Sequence, residues 1–358
     1  MTASKTVLIA MSGGVDSSVA AGLLVRAGYV VRGVYMRLGQ SRRPQEAAQD
    51  EADAQAVADK LGIELEVVDY REQMEAIIQY FIAEYRQART PNPCCMCNRQ
   101  LKFGRLVSLA DQLCITYLAT GHYARIYREG NAVRLCRAAN RDKDQSYALF
   151  GLQRGVLSRV LLPNGDYSKD RIRQLAAEMN LPVHEKGESQ EICFVADDDY
   201  VAFIAQRAPE LVRKGPIVDT SGKVLGEHEG IFRYTIGQRR GLGVALGEPA
   251  YVVRLDAATN TVTLGSREQL HQRRLWASQI NWLTDPPAEP FAATVQIRYN
   301  HTGAPATITQ IKVSGTFISS VCVDFADPIA AITPGQAAVF YNDNQCVLAG
   351  GWIDKAEG

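Results

Sequence analysis

The sequence lacks the features that mark membrane-spanning and secreted proteins. No apolar run approaches the roughly 20 residues that a membrane-spanning helix requires. The first apolar run, Val7–Met11, is broken at once by Ser12-Gly13-Gly14, and it is too short and wrongly flanked for a signal peptide. The chain also has no formal net charge, because 39 Lys and Arg balance 39 Asp and Glu. An anionic partner would therefore have to bind local basic patches. We therefore expect a cytoplasmic protein with no membrane association.

Cysteine is sparse, with eight residues in a chain of 358, which is too few for a disulfide scaffold. In a reducing compartment, such cysteines indicate metal binding, catalysis or core packing. The composition is otherwise that of a globular protein, with 46% hydrophobic and 22% charged residues, and it excludes disorder and fibres. Since a domain takes about 150 residues, the length predicts two or three domains.

The first half of the chain alternates predicted strands and helices. Strands are predicted over residues 5–10, 29–36, 64–68 and 115–119, and helices over residues 16–27, 45–61, 72–86 and 100–113. This alternation predicts an α/β domain with an open parallel sheet, which binds ligands at the carboxyl ends of its strands. From Gly215 on, short β-rich runs punctuated by Gly, Asn and Pro predict small antiparallel barrels.

A glycine- and serine-rich loop, residues 11–18, lies between the first predicted strand and the first predicted helix. Gly13 and Gly14 let backbone N–H groups point at an anion, and the following helix adds its positive end. The loop therefore predicts phosphate binding, although a simple helix-capping turn is the alternative. It contains no lysine, which disfavours a γ-phosphate hydrolase of the GxxxxGK[ST] type.

The cysteine pattern allows two chemistries. Cys94 and Cys97 are spaced as a CxxC pair, but a zinc site needs about four ligands, and Cys114, Cys136 and Cys193 are isolated in the sequence. A redox or sulfur-carrying pair needs only two thiols that meet in the fold. An ordinary buried cysteine remains the alternative for position 193.

Sequence blocks along nearly the whole chain resemble one family. They are SGGVDSSVAAGLL, TPNPCCMCN, ATGHYARI, KDQSYAL, SQEICFV, GEHEGIFRYTIGQRRGLG, YVVRLD, VQIRYNH and PGQAAVFY. SGGVDS after an apolar strand is similar to the loop of the N-type ATP pyrophosphatases, the PP-loop superfamily. TPNPxxxCN, KDQSY and YTIGQR resemble the bacterial tRNA-specific 2-thiouridylases within it. The resemblance implies a PP-loop catalytic domain over residues 1–208, a small central β domain over 209–275 and a C-terminal β-barrel over 276–358.

The resemblance also implies a reaction, the ATP-dependent 2-thiolation of the wobble uridine of tRNA. ATP with Mg²⁺ would bind the loop, and the uridine C2 oxygen would attack the α-phosphate and release pyrophosphate. Sulfur from a persulfide on Cys193, supplied by a cysteine desulfurase or a sulfur-relay protein, would displace AMP. The catalytic cysteine, Cys97, would then form a disulfide with Cys193 that a reductant reopens.

The residues that the resemblance places in binding sites form two groups. The ATP-binding residues would be Ala10, Met11, Ser12, Gly13, Gly14, Val15, Asp16, Ser17, Met36 and Gly121. The tRNA-binding residues would be Asn92, Pro93, Cys94, His122, Lys143, Asp144, Gln145, Arg298, Tyr299 and Gln336. Some family members carry Asp at the position of Cys94, so no acid–base role is carried over to this thiol.

Some of these residues have simpler alternative roles. His122 could be a hydrogen-bonded core histidine, and Asp144 could cap a helix over residues 147–150. Arg99, Lys102 and Arg105 are three residues apart on a predicted helix, which would place them on one broad face for tRNA phosphates or for solvent.

Two other functions remain open at this point. One is a PP-loop enzyme that adenylates a small-molecule carbonyl. The other is a zinc-stabilised RNA-binding protein that uses Cys94 and Cys97 as ligands and performs no chemistry.

Overall fold

The chain folds as two compact units. A computed structural model describes residues 5–39, 44–187, 192–244, 247–287, 290–311 and 320–358. The first unit comprises residues 1–77, 94–198 and 344–347, and the second comprises residues 78–93, 199–343 and 348–358. None of the helices in these described ranges is long and apolar enough to cross a membrane.

A five-stranded parallel sheet forms the centre of the first unit and confirms the predicted fold class. In chain order the strands of this unit are β1 (Thr6–Ala10), β2 (Val30–Arg37), β3 (Glu64–Asp69), β4 (Tyr117–Ala119), the hairpin strands β5 (Ala124–Glu129) and β6 (Ala132–Arg137), and β7 (Val160–Leu161). The order of the strands in the sheet is β3-β2-β1-β4-β7.

Helices connect these strands, and one of them differs in kind from the prediction. The α-helices are α1 (Val15–Arg26), α2 (Pro44–Leu61), α3 (Arg71–Arg86), α4 (Pro93–Cys97), α5 (Leu106–Gln112) and α6 (Lys169–Glu178). The segment Asn98–Arg105 is a π-helix, at whose end the N–H of Leu106 bonds the carbonyl of Leu101. The helix predicted over residues 100–113 is therefore present, but its first part is π-helical and only Leu106–Gln112 is α-helical.

The core of the first unit lies around β1. Val7, Leu8 and Ile9 are fully buried, as expected for a central strand covered by helices on both faces. Apolar residues of α1 and α6, including Val19 and Ile172, belong to the same buried cluster. The strand order reverses between β1 and β4, and in sheets of this kind ligands bind at such a point, beyond the carboxyl ends of the strands.

The second unit is rich in β-structure and ends in a closed barrel, as predicted. It contains α7 (Tyr200–Arg207), a four-stranded sheet and a six-stranded barrel. The sheet strands are β8 (Gly215–Asp219), β9 (Val224–His228), β10 (Tyr251–Asp256) and β11 (Thr261–Gly265), in the order β10-β11-β8-β9. The barrel strands are β12 (His271–Trp282), β13 (Phe291–Gln296), β14 (Ala304–Ile311), β15 (Ser320–Ala330), β16 (Ala337–Tyr341) and β17 (Val347–Glu357), in the order β12-β15-β14-β13-β16-β17. The predicted bounds of the three domains stay predictions.

Candidate active site

The loop between β1 and α1 has a conformation that only glycine tolerates at one position. Gly13 has φ of +72°, and a Cβ there would lie 2.1 Å from the carbonyl oxygen of Asp50. Ser17 Oγ accepts a hydrogen bond from the N–H of Ser12 at 3.1 Å and donates one to the carbonyl of Gly14 at 3.1 Å. These bonds hold the loop in a fixed turn before α1 begins.

The N-terminus of α1 is open to an anion. Gly14 is the N-cap residue, and no side chain of the described chain caps the helix there. The first N–H groups of a helix need partners, and together with the positive end of the helix dipole they favour a phosphate. The geometry therefore favours phosphate binding over the alternative of a simple capping turn.

The segment after β4 packs directly against this loop. A Cβ on Gly121 would lie 2.7 Å from the backbone nitrogen of Ser17. Asn164, which is fully buried, donates from Nδ2 to the carbonyls of Asp16 and Gly121, both at 2.9 Å. The structure thus brings together the predicted residues of the first loop and Gly121, and Asn164 is a connecting residue that the sequence did not reveal.

Asp16 lies in a small charged network at the start of α1. Its Oδ1 accepts hydrogen bonds from the hydroxyl of Tyr123 and from Nζ of Lys169, each at 2.7 Å. Lys169 is the first residue of α6. The loop has no lysine of its own, but the fold supplies one from a helix far along the chain.

A second lysine approaches the other side of the loop. Lys186 Nζ donates to the carbonyl of Gly13 at 3.0 Å, to Asp50 Oδ1 at 2.7 Å and also to Asp53. Burial lowers the pKa of Lys186, but hydrogen bonds to the two aspartates outweigh burial and raise it, so this side chain is a permanent cation. It fixes the backbone of the loop to α2.

Met36, the other residue expected to border the nucleotide, lies near the end of β2 and is half-buried. Since β2 pairs with β1 in parallel, the end of β2 lies at the same edge of the sheet as the phosphate loop. This position is consistent with a contact to the base or ribose.

The predicted catalytic cysteines differ in exposure. Cys97 ends α4 and is 7% exposed, whereas Cys193 is exposed. Burial raises the pKa of the Cys97 thiol, while the ammonium of Lys102 opposes this rise. Cys97 is therefore a thiol at neutral pH, and the nearby lysine is the group that favours its reactive thiolate form.

The π-helix separates three basic residues that the sequence predicted on one face. Lys102 interacts electrostatically with Cys94, Cys97 and His122, whereas Arg99 and Arg105 line a cavity that Lys102 does not line. In a π-helix the hydrogen bonds span five residues, so positions three apart do not align as in an α-helix. The expectation of one shared basic face is therefore wrong.

Replacing Lys102 by Met should raise the pKa of Cys97 further, because the mutation removes the cation that stabilises the thiolate. At a fixed pH below that pKa, alkylation of Cys97 should slow several-fold, and the rate profile should move to higher pH. Peptide mass spectrometry after timed iodoacetamide treatment measures this rate. Arg105→Gln is the matched control. An unchanged pH profile of the alkylation rate in Lys102→Met would show that Lys102 does not affect the pKa of Cys97.

His122 follows Gly121 at the same edge and is neutral. Partial burial and the neighbouring Lys102 both lower its pKa well below the ordinary value. Its Nδ1 is 2.8 Å from the hydroxyl of Thr120, and its ring lies 6.0 Å from the ring of Phe103. These contacts fit the hydrogen-bonded alternative and leave the tRNA contact a prediction.

The segment of residues 143–145, Lys-Asp-Gln, is held in the first unit mainly by contacts of Asp144 and Gln145. Asp144 is buried, and its carboxylate accepts hydrogen bonds from the N–H groups of Ala138 and Ser146 at 2.8 and 3.2 Å and contacts Arg137 at 3.3 Å. Gln145 Oε1 accepts a hydrogen bond from the N–H of Tyr123 at 2.9 Å. These contacts favour positioning roles for Asp144 and Gln145. Lys143 is half-buried, and its contact with tRNA stays a prediction.

The remaining predicted tRNA-binding residues belong to the second unit. Gln336 donates from Nε2 to the carbonyl of Thr90 at 2.8 Å, so it anchors the segment that continues to Asn92 and Pro93. Arg298 follows β13 and donates to the carbonyl of Ala330 at 3.2 Å. Tyr299 is 43% exposed.

A disulfide joins two cysteines that the sequence treated as isolated. Cys136 on β6 and Cys346 form it across an isolated antiparallel bridge. The N–H of Arg137 also bonds the carbonyl of Gln345 at 2.9 Å. Local sequence does not indicate this pairing, because 210 residues separate the two cysteines.

No group of three or more His, Cys, Asp or Glu side chains in the described ranges could hold a metal ion. Cys94 and Cys97 therefore have no further protein ligands in that part of the chain for the zinc site of the structural alternative. Asp16 is the carboxylate of the phosphate loop, and its side chain is 36% exposed.

Replacing Asn164 by Leu should destabilise the first unit and weaken nucleotide binding. The mutation removes two hydrogen bonds to partly buried carbonyls, which we expect to cost about 1–3 kcal/mol in the free energy of unfolding. Urea unfolding measures this cost, and the KM for ATP should rise because Gly121 is no longer tied to Asp16. Gln55→Leu, which removes an exposed bond on α2, should change either quantity little. Equal results for both variants would contradict the role of Asn164.

Comparisons with known proteins cover the chain almost completely. A family model described as tRNA methyl transferase HUP domain matches residues 5–197, one described as tRNA methyl transferase PRC-barrel domain matches 201–266, and one described as aminomethyltransferase beta-barrel domain matches 272–353. The tRNA-specific 2-thiouridylase MnmA of Syntrophotalea carbinolica is 46% identical over 98% of both chains. The protein of the same name from Carboxydothermus hydrogenoformans is 45% identical over 98% of both chains. The one from Rhodopirellula baltica is 42% identical over 98% of this chain and 96% of its own. The chain therefore belongs to the tRNA-specific 2-thiouridylase MnmA family.

Proposed function

We propose that the protein is a tRNA-uridine 2-sulfurtransferase that uses ATP to convert the wobble uridine of tRNA into 2-thiouridine. The observation that carries this proposal is the uncapped N-terminus of α1, which follows β1 where the strand order reverses, in the same unit as Cys97 and Cys193. The phosphate site supports activation of an oxygen, and the cysteines support delivery of sulfur. Membership of the 2-thiouridylase family supports the combination.

In the first step, the loop from Ala10 to Ser17 holds the ATP phosphates against the N–H groups of α1. The uridine C2 oxygen attacks the α-phosphorus, the bond to the β-phosphate oxygen breaks, and pyrophosphate leaves. Asp16 is the residue that would hold Mg²⁺ brought in with ATP, whose charge would neutralise the phosphates. Lys169 and Lys186 add positive charge beside the loop, while Met36 and Gly121 border the adenine and ribose.

In the second step, the terminal sulfur of a persulfide on Cys193 attacks C2, and AMP leaves with the former C2 oxygen. The base is then joined to Cys193 through two sulfur atoms. The Cys97 thiolate attacks Sγ of Cys193. A bond forms between the two cysteine sulfurs, the bond between Sγ of Cys193 and the transferred sulfur breaks, and 2-thiouridine is released. The two cysteines are oxidised to a disulfide while the transferred sulfur is reduced, and a thiol reductant reopens the pair.

The exposure of the two cysteines fits their different proposed roles, in which Cys193 carries the persulfide and Cys97 releases the sulfur. Cys193 is exposed, as required of a thiol that receives sulfur from another protein, a cysteine desulfurase or a sulfur-relay protein. Cys97 is buried, which protects it from other oxidants until Cys193 carries the substrate. Lys102 lowers the cost of ionising it.

tRNA binding is the proposed role of residues in both units. Asn92, Pro93 and Cys94 would contact the target base, which must leave the anticodon stack at a cost of a few kcal/mol. The further proposed contacts are His122, Lys143, Arg298 and Tyr299. Asp144, Gln145 and Gln336 would act by positioning their neighbours, because Asp144 is buried and the two glutamine side chains bond the backbone at Tyr123 and Thr90.

The proposal is tested by mass spectrometry of tRNA nucleosides from cells with and without the gene. Loss of 2-thiouridine on deletion, restored by the wild-type gene and not by a Cys193→Ser gene, is the expected result. Unchanged 2-thiouridine would overturn the proposal. Loss of a methylated nucleoside instead would assign the methyl transfer that the family models' descriptions name, and stoichiometric zinc in an inactive protein would favour the RNA-binding alternative.

A further inference from the structure

The cavity that Arg99 and Arg105 line lies beside the π-helix in the first unit. It has a volume of about 390 Å³ and is lined by, among others, Gln73 of α3, Arg99, Gln100 and Arg105 of the π-helix, and Gln153. Its volume falls in the range of small-ligand sites. Two arginines and three glutamines give it a polar, cationic lining that the proposed chemistry does not use.

The two arginines are available to an anion. Neither guanidinium group forms an ion pair or a side-chain hydrogen bond with another part of the described chain. The stem of Arg99 is packed, since a Cβ on Gly151 would lie 3.3 Å from Arg99 Cβ and 3.4 Å from its Cδ. Two guanidinium groups without carboxylate partners on one cavity have the charge and the hydrogen-bond donors that bind a phosphate group.

A buried acceptor points to a second feature of the ligand. Gln73 Oε1 is buried and has no hydrogen-bond partner among the described residues. An unpaired buried acceptor costs about 1–3 kcal/mol, and a ligand N–H or O–H would remove that cost. A ligand that combines a phosphate with a hydroxyl or amine donor fits both observations.

We propose that this cavity binds one nucleotide of the tRNA backbone, at a position other than the modified base. Arg99 and Arg105 hold its phosphate, and Gln73 accepts a hydrogen bond from its ribose hydroxyl or base. Arg99, Gln100, Arg105 and Gln153 are all exposed, so the cavity is open at its rim and a continuous chain can pass through it. The inference rests on the proposed function, because it takes tRNA as the substrate.

The test measures tRNA affinity at several salt concentrations for Arg99→Gln, Arg105→Gln and Gln73→Leu. Each arginine variant should bind about 3- to 10-fold more weakly, and the slope of log K against log salt should fall by about one. Gln73→Leu should weaken binding without changing the slope, because it removes no charge. Arg26→Gln is the control, since Arg26 lies at the far end of α1, about 16 Å from its first residue, and it should leave both quantities unchanged.

The outcomes separate this inference from the proposed function. If the wild type thiolates tRNA but both arginine variants keep its affinity and slope, the cavity is not an RNA site and the proposed function stands. If the wild type does not thiolate tRNA, the proposed function is wrong, and the inference about the cavity, which rests on it, is wrong as well. Saturable binding of free UMP that is lost in Arg105→Gln, with tRNA binding unchanged, would assign the cavity to a free nucleotide and overturn the inference. Thermal unfolding checks that each variant is folded, and Arg105→Met replaces Arg105→Gln if it is not.

Discussion

Cys97→Ser and Cys193→Ser should each abolish tRNA thiolation, with losses of roughly a thousandfold or more, while ATP binding persists. Sulfur transfer needs both thiols, one to carry the persulfide and one to release its sulfur. Nucleotide binding needs neither, because the phosphate loop is held by Ser17, Asn164 and Lys186. Equilibrium dialysis with ATP and 2-thiouridine analysis by mass spectrometry measure the two quantities in the same preparations.

The matched controls are Cys114→Ser and Cys322→Ser, which should retain thiolation. Cys136 and Cys346 are unsuitable controls, because they form a disulfide and either mutation removes a structural cross-link. Thiolation by Cys193→Ser, or a persulfide found on a different cysteine after treatment with a sulfur donor, would show that the assigned relay is wrong.

Asp16→Ala should abolish the formation of AMP and pyrophosphate, with a loss of about 10²- to 10³-fold in turnover. The mutation removes an acceptor that Lys169 and Tyr123 share, and with it the carboxylate that would hold Mg²⁺. Tyr123→Phe removes one of these bonds and keeps the carboxylate, so its loss should be much smaller.

Product analysis by ion-exchange chromatography is the measurement for this variant and for the wild type. The wild type should form AMP and pyrophosphate in equal amounts, and ADP with inorganic phosphate would contradict attack at the α-phosphorus. Near-normal turnover by Asp16→Ala would reduce this residue to a structural role.

The parallel sheet and the phosphate loop could be predicted from the sequence because their signals are local. The apolar run of β1 and the glycines at positions 13 and 14 are adjacent in the chain, so periodicity and turn chemistry locate them. The π-helix over Asn98–Arg105 could not be predicted in the same way. Its residues have the composition of an ordinary helix, and the change to bonds spanning five residues depends on packing.

The residues that complete the site come from distant parts of the sequence. Asn164, Lys169 and Lys186 contact the loop at residues 13–16, but nothing in their local sequence indicates an anion site. The Cys136–Cys346 disulfide is hidden for the same reason.

The central claim is that this protein activates the C2 oxygen of a tRNA uridine by adenylation, and an isotope measurement tests it most directly. tRNA carrying ¹⁸O at C2 of the wobble uridine is converted in a single turnover with ATP and a sulfur donor, and the AMP is analysed by mass spectrometry. The account predicts one ¹⁸O atom in AMP for each 2-thiouridine formed, because the uridine oxygen leaves on the phosphorus. AMP without ¹⁸O alongside 2-thiouridine would contradict it.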